Sequence, residues 1–422
     1  MRTYQQTRDQ LFDLQKYAIK LGLENIRLLT DLLDQPQKAY PVIHVAGTNG
    51  KGSTAFYLTL ILRSCGLKVG LFTSPHLKDY RERIRVNDKL IDEKFIINFW
   101  QRVHKDVEKL KATFFDTTAL MALDWFRERN VDVAVVETGL GGRLDSTNII
   151  GPEIAVITPI GFDHQKQLGN TLDSIAAEKA GIIKPGVSVC LAAQKPEVKK
   201  VILDIAVSNQ LYYLPDLYQI EIIKSGKKGI DFKLRPGTHN TFGGTEETFV
   251  VPTMADYQTE NFALAWLTAN LYFQQHQGDF NRALLNKYLA SKSWPGRLQV
   301  VSETPLIIHD VSHNLHGISR TIRDLEKHYE LKNWTLLLGM VNDKDVGNIV
   351  NFLTGKFGKV IVCEPQTIRK QDGALIANLF EANGQKAIFI KDLRQAYEIS
   401  KESVKTDSGL LVMGSHYLIG AL

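Results

Sequence analysis

An α/β architecture in two units is the reading that three features of the chain support. Short Val- and Ile-rich runs alternate with helical segments, the pattern of parallel sheets covered on both faces. A glycine-rich segment, Gly47 to Ser53, joins the first such run to a helix, where backbone N–H groups can gather around an anion. At 422 residues the chain exceeds the size at which a single hydrophobic core stops growing. We therefore expect an N-terminal P-loop-type nucleotide-binding domain with a mostly parallel sheet, residues 1–294, and a smaller Rossmann-like α/β domain, residues 298–422.

The elements follow in order. Helical spacing over Thr7 to Lys20 and Glu24 to Leu33 is broken by Pro36 and Pro41, and the apolar run Val42 to Val45 then enters the glycine-rich turn. Phe56, Leu60 and Ile61 recur at helical spacing, Gly66 closes that helix, and Lys68 to Thr73 reads as a second strand, completing a βαβ unit. Val131 to Val136 and Glu153 to Ile157 are further strands, the first preceded by a helix over Thr117 to Arg129. The region Leu211 to Val251 reads as an antiparallel appendage, with a polar loop at Pro236 to Thr245. An amphipathic helix at Tyr257 to Gln275 and a shorter one ending near Ser291 lead to Trp294-Pro295-Gly296-Arg297, which interrupts all periodicity. Beyond it, strands at Leu306 to Asp310, Thr335 to Met340, Lys359 to Cys363, Ala387 to Ile390 and Leu410 to Met413 alternate with helices, the signature of a second doubly wound domain.

Composition narrows the function classes. A formal charge of +5 from 51 basic and 46 acidic residues is dispersed, which suits anionic small substrates and does not demand nucleic acid. The three cysteines, Cys65, Cys190 and Cys363, show no CxxC spacing and read as buried, reduced thiols. No run of about 18 apolar residues or signal-peptide pattern is seen, so a soluble cytoplasmic protein without a membrane partner is expected.

The chemistry concentrates at strand ends. In Gly47-Thr48-Asn49-Gly50-Lys51-Gly52-Ser53 the glycines permit close backbone approach, and Lys51 would stand between β- and γ-phosphates. The strict phosphate-loop pattern has Gly four residues before the GK pair and Ser or Thr after the Lys; here Val45 or Ala46 and Gly52 hold those places. Glu137 closes the run Val131 to Val136 and should stand at the carboxyl edge of a parallel strand, where a carboxylate can hold Mg²⁺. Ser74 and His164 follow two other strands towards the same edge, and hydroxyl, carboxylate and imidazole beside a phosphate loop suit a divalent metal. In the second unit, Asp310 ends a strand and the loop Val311-Ser312-His313-Asn314 has the polar composition of one reaching into a cleft. Arg297, in the linker, is placed to approach a nucleotide between the units or to form a hinge salt bridge.

Taken in order, HVAGTNGKGST, FTSPHL, YRERIRV, VVETGLGGRLDSTN, FDHQKQLG, EKAGIIKPG, DYQTEN, WPGRLQ and HDVSHN resemble the motif series of the folylpolyglutamate and dihydrofolate synthases, within the Mur ligase superfamily. The resemblance spans nearly the whole chain. It implies a monomeric ligase that binds ATP with Mg²⁺, takes folate or dihydropteroate and L-glutamate as substrates, and works between an ATP-binding unit and a glutamate ligase unit. Carried onto matching positions, it implies that Gly47 to Ser53, Asn261, Arg297 and Asp310 hold ATP and that Ser74, Glu137 and His164 organise Mg²⁺. It also implies that Lys179 is carbamylated. Phe115-Asp116-Thr117-Thr118 departs from a usual FEFTT by exchanging Glu for Asp, and Pro75-His76-Leu77 is closer to the bifunctional pattern.

The implied reaction makes physical sense. A carboxylate is a poor acyl donor, so the γ-phosphoryl group of ATP is transferred to it first; the glutamate amine then attacks the acyl phosphate. Mg²⁺, Lys51 and His313 would stabilise the developing charge. Two rivals are a Mur-type ligase of peptidoglycan synthesis and, from a different class, a nucleotide-switch ATPase.

Overall fold

The computed structural model describes residues 3–17, 22–240, 242, 245–405 and 407–422. Two large sheets and one small sheet organise these residues. The first has eight strands: β1 (Val42–Ala46), β2 (Val69–Phe72), β3 (Ile84–Val86), β4 (Lys89–Leu90), β5 (Val133–Glu137), β6 (Ile154–Ile157), β7 (Ser188–Leu191) and β8 (Leu211–Tyr213). Their spatial order is β4-β3-β2-β5-β1-β6-β7-β8. From β2 to β8 all neighbours pair in parallel, while β3 and β4 extend the edge antiparallel.

That order decides where the site lies. Strands β2, β5, β1 and β6 stand side by side and run the same way, so the segments leaving their carboxyl ends meet on one edge of the sheet. All residues of these four strands are buried, which is why their sequences read as unbroken apolar runs rather than alternating ones. The helix Lys51–Ser64, leaving β1, is apolar on all sides because both of its faces are covered: 12 of its 14 residues are buried. It packs between the sheet and the helix Tyr257–His276, and Tyr57, Phe262, Phe232 and Phe249 share one core with it. Each large side chain so buried contributes roughly 1.5–3 kcal/mol.

The antiparallel appendage is smaller than expected. Strands β9 (Tyr218–Gly226), β10 (Gly229–Pro236) and β11 (Glu247–Val251) form a separate three-stranded antiparallel sheet. Leu211–Tyr213, assigned from sequence to that appendage, instead adds in parallel to the edge of the large sheet. Three residues are too few for a periodic signal. Of the expected polar loop over Pro236 to Thr245, positions 241, 243 and 244 lie outside the described residues. So does the end of the first expected helix at 18–20, which begins as Tyr4–Asp13 and tightens into a 3₁₀ turn at Leu14–Lys16.

The third sheet comprises β12 (Gln299–Glu303), β13 (Leu306–Asp310), β14 (Thr335–Leu338), β15 (Lys359–Val362), β16 (Ala387–Phe389) and β17 (Gly409–Met413). Its order is β12-β13-β17-β14-β15-β16, parallel throughout except for β12. The edge strand β12 is only half covered and escaped the sequence reading. Between the sheets, the Trp294 indole packs on Phe56 at 5.1 Å between centroids. Gly296 has φ 69°, and its carbonyl accepts from the Val311 N–H at 2.9 Å. No helix among the described residues is long and apolar enough to cross a membrane. Cys190 and Cys363 are buried free thiols and Cys65 is half-buried.

Candidate active site

The loop after β1 is shaped by its glycines. Gly50 has φ 88°, a left-handed conformation that costs a residue with a side chain about 1–2 kcal/mol, and a Cβ there would run into the Asn261 carboxamide oxygen. A Cβ on Gly52 would reach 3.4 Å from the Glu137 carboxylate and 3.3 Å from the Trp294 indole nitrogen. The position that a strict phosphate loop gives to Ser or Thr is therefore packed tightly by Glu137 and Trp294. The backbone N–H groups of Thr48 and Asn49 both donate to the Pro159 carbonyl, at 3.1 and 3.2 Å. This ties the loop to the segment leaving β6. Thr48 adds a reciprocal pair with Gly161, its hydroxyl donating to the carbonyl at 3.0 Å and accepting from the N–H at 3.1 Å.

Lys51 opens the following helix. Its ammonium donates to the Thr48 carbonyl at 3.2 Å and stands 4.0 Å from Glu137 Oε1. Glu137, last residue of β5, is 3% exposed; its Oε2 accepts from the Ser74 N–H at 3.1 Å. Burial raises the Glu137 carboxyl's pKa, against the opposing pull of Lys51, that backbone N–H and Arg297. A buried carboxylate under that penalty is a site for a cation. The Ser74 hydroxyl, beside it, makes no hydrogen bond among the described residues, so two oxygen donors of the kind Mg²⁺ takes lie together.

His164 lines the same cavity, but its ring is engaged from both units: Nδ1 lies 3.2 Å from Asp343 of the C-terminal unit and Nε2 3.9 Å from its own neighbour Asp163. Burial lowers its pKa. Among the described residues no three His, Cys, Asp or Glu side chains form a ready-made metal cage. Ser74 and Glu137 thus meet as a pair, with His164 on the same wall but steered by the C-terminal carboxylate of Asp343.

Beneath the loop, the Lys179 ammonium donates to the Gly47 carbonyl at 2.7 Å. It is 4% exposed, and burial, with the Lys51 charge second, lowers its pKa to about 7. A lysine so placed is neutral in a substantial fraction near pH 7, the form that reacts with carbon dioxide.

The C-terminal unit closes the cavity. Arg297, His313, Gly317, Arg320 and His416 line it together with Lys51, Glu137, His164, Lys179 and Asn261. Asn49 and Asn314 exchange carboxamide hydrogen bonds across the gap at 3.2 and 3.1 Å. Asp163, at 7% side-chain exposure, accepts from Lys344 at 2.5 Å and from Asn314 at 3.1 Å, and lies 3.4 Å from His313. These cations and hydrogen bonds hold its carboxyl well below the usual range despite burial. Asp310 does not line the cavity. Its oxygens accept from the N–H groups of Leu298 and Ser312 at 2.9 and 2.8 Å and from the Thr321 hydroxyl at 3.2 Å, so it pins the linker that presents Arg297.

Sequence reading passed over Asp163, Asp343, Lys344 and His416. The last three follow β14 and β17, at the carboxyl edge of the second sheet; the rule that singled out Asp310 after β13 could have found them.

Such a site, a phosphate loop and an oxygen-donor pair facing a second α/β unit, defines a Mur-type ligase. The Mur ligase middle domain family matches residues 45–269, and the Mur ligase glutamate ligase domain family matches residues 296–416. The chain is 34% identical to the folylpolyglutamate synthase of Lacticaseibacillus casei over 94% of its own length and 92% of the relative's. It is 31% identical to the dihydrofolate synthase/folylpolyglutamate synthase of Bacillus subtilis, over 96% and 91% of the two chains. The Mycobacterium tuberculosis folylpolyglutamate synthase complexed with ADP superposes with a TM-score of 0.89 at 28% identity, covering 99% of this chain and 97% of that one. The chain belongs to the folylpolyglutamate synthase/dihydrofolate synthase family.

Proposed function

We propose that this protein is an ATP-dependent ligase that adds L-glutamate to a folate through an acyl phosphate, with dihydropteroate as a second acceptor. The observation that carries it is one cavity in which the loop Gly47 to Ser53, the Ser74–Glu137 pair and Lys179 face Arg297, His313 and His416 of the C-terminal unit. The ADP complex of the mycobacterial relative supports a nucleotide there, and the ending Pro75-His76-Leu77 supports the second acceptor.

In this reading residues 1–294 hold ATP and residues 298–422 present glutamate. Backbone N–H groups of the loop and the Lys51 ammonium orient the γ-phosphoryl group towards the acceptor carboxylate. Asn261 and Arg297 position the nucleotide, with Asp310 supporting Arg297 from behind. Ser74 and Glu137, with His164 beside them, would hold Mg²⁺, which would supply charge neutralisation at the phosphates. Lys179, carbamylated, adds a second anionic group under the loop. His313 stands 3.4 Å from the buried Asp163 carboxylate and lines the cavity, where its ring can donate to the charge that develops when the amine attacks. The interdomain contacts exclude water from the acyl phosphate. The protein acts in this reading as a monomer in the cytoplasm, as the family resemblance implies.

Glutamate-dependent phosphate release tests the reading. It should appear with tetrahydrofolate or dihydropteroate and not with a muramyl peptide. Release with the muramyl substrate alone would assign the chain to peptidoglycan synthesis, and release without any amide product would make it a nucleotide switch.

A further inference from the structure

Gly52 lies in the helix Lys51–Ser64, in a backbone conformation open to any residue, so its glycine answers to space. A Cβ there would come within 3.3 Å of Nε1 and 3.4 Å of Cζ2 of Trp294, and within 3.4 Å of Glu137 Oε2. The room that a strict phosphate loop gives to a hydroxyl side chain is thus taken by the indole of a linker residue. That indole is fixed. Its ring packs on Phe56 at 5.1 Å between centroids, and the Arg85 guanidinium stands 5.8 Å from it.

The indole N–H is uncommitted. Among the described residues it donates to no protein group, and it is not one of the fully buried polar atoms that lack a partner, so a ligand can reach it. Trp100 shows the usual outcome for an enclosed indole, its N–H donating to Gln10 at 2.7 Å, because an indole N–H away from water ordinarily finds an acceptor. Beside Trp294 the nearest acid is occupied: Glu137 accepts from the Ser74 N–H at 3.1 Å and faces Lys51 at 4.0 Å. Lys51, Gly52, Glu137 and Trp294 all line the phosphate cavity, so the free N–H stands where the loop meets its ligand.

We propose that Trp294 is a nucleotide-binding residue whose indole N–H donates to a β-phosphate oxygen, in the place where a strict phosphate loop carries a hydroxyl. The proposal rests on the reading of the cavity as an ATP site. In a strict loop that hydroxyl serves Mg²⁺. An indole N–H has no lone pair for a metal and can only donate, so it takes the other partner at this spot, an anionic oxygen. Loop backbone cradles the α- and β-phosphates and the lysine reaches β and γ; beside Gly52, next after Lys51, the phosphate common to both is β. The two tasks of the missing hydroxyl's position are thus divided, metal to Ser74 and Glu137, phosphate to Trp294. Because Trp294 opens the linker, the same bond ties the linker to the nucleotide.

The test is equilibrium binding of ADP and of AMP, which lacks the β-phosphate, to wild type, Trp294→Phe and Trp294→His. It is made at about pH 8, where histidine is neutral, once with Mg²⁺ and once with EDTA. Phenylalanine keeps an aromatic face for Phe56 but has no donor. Histidine gives up much of that face, yet its Nε2–H occupies the ring place that Nε1 has in tryptophan. Trp294→Phe should lose at least about tenfold of the wild-type preference for ADP over AMP, the loss expected for a hydrogen bond to a charged acceptor. Trp294→His should keep most of that preference, with Mg²⁺ and with EDTA alike. A role in packing alone predicts the opposite order. A preference that survives in Trp294→Phe, or falls equally in both variants, would overturn the proposal. So would a contrast seen only with Mg²⁺, which would put the N–H to work through Glu137. Should one variant not fold, the other decides by the same preference. Failure of wild type to bind either nucleotide would overturn the ATP reading, and the donor role with it.

Discussion

Lys179→Met should stabilise the protein near neutral pH, because the lysine is buried at a cost. Its ammonium sits under the phosphate loop with one hydrogen bond, to Gly47, and its pKa falls from 10.5 to about 7. That difference of roughly 3.5 units corresponds to about 5 kcal/mol. The sign follows from proton counting: between about pH 7 and 10.5 the unfolded chain binds a proton that the folded chain does not, so stability rises with pH across that window. The penalty is complete below about pH 7 and gone above about 10.5. Methionine removes it but leaves the Gly47 carbonyl without its donor, a loss of about 1 kcal/mol. Net stabilisation is then about 4 kcal/mol at pH 7, falling to nothing or slightly below by pH 10.5. Urea unfolding of both proteins at several pH values, in buffer freed of carbon dioxide so that the lysine carries no carbamate, measures the difference. A difference that stays constant with pH, or destabilisation at pH 7, would refute the argument from burial.

Three other variants probe separate parts of the site. Lys51→Ala removes a phosphate-side charge and no core contact, so turnover should fall by about a hundredfold or more while the melting temperature holds; normal turnover would remove Lys51 from the mechanism. Gly50→Ala places a Cβ against Asn261 at φ 88° and should cost about 1–2 kcal/mol of stability together with nucleotide affinity, read by thermal melting and ADP titration; an unchanged protein would show that the loop tolerates the strain. Lys344→Met leaves Asp163 and Asp343 without their shared cation, at a cost of about 3–5 kcal/mol if the units stay closed. Small-angle scattering should therefore show a more open molecule, and an unchanged envelope with unchanged stability would contradict a closing role for the pair.

Much of the fold could be read from sequence because its parallel strands are covered on both faces, leaving unbroken apolar runs at β1, β5, β6 and β13. Elements escaped where the run is short or burial is partial: β3, β4 and β7 are only two to four residues long, and the five-residue β12 is only half covered. For the site, the glycine-rich loop and Glu137 were readable since both follow a strand, and Ser74 and His164 were placed on the correct edge. The partners of His164 were not readable. Asp343 and Lys344 come from the other unit, about 180 residues further along the chain, and only the packing of the two sheets brings them to Asp163. Asp116, a departure from the FEFTT pattern, has a local explanation: it completes a capping box with Thr113 and accepts from Ser146 at 2.5 Å.

The central claim is that ATP cleavage in this cavity makes an amide between a folate carboxylate and glutamate. Mass spectrometry of the products formed from ATP, L-glutamate and tetrahydrofolate tests it most directly. A product heavier than the acceptor by one glutamyl unit, formed with one phosphate released per amide and absent from Lys51→Ala, is the predicted result. Phosphate release with the tetrahydrofolate recovered unchanged would contradict it.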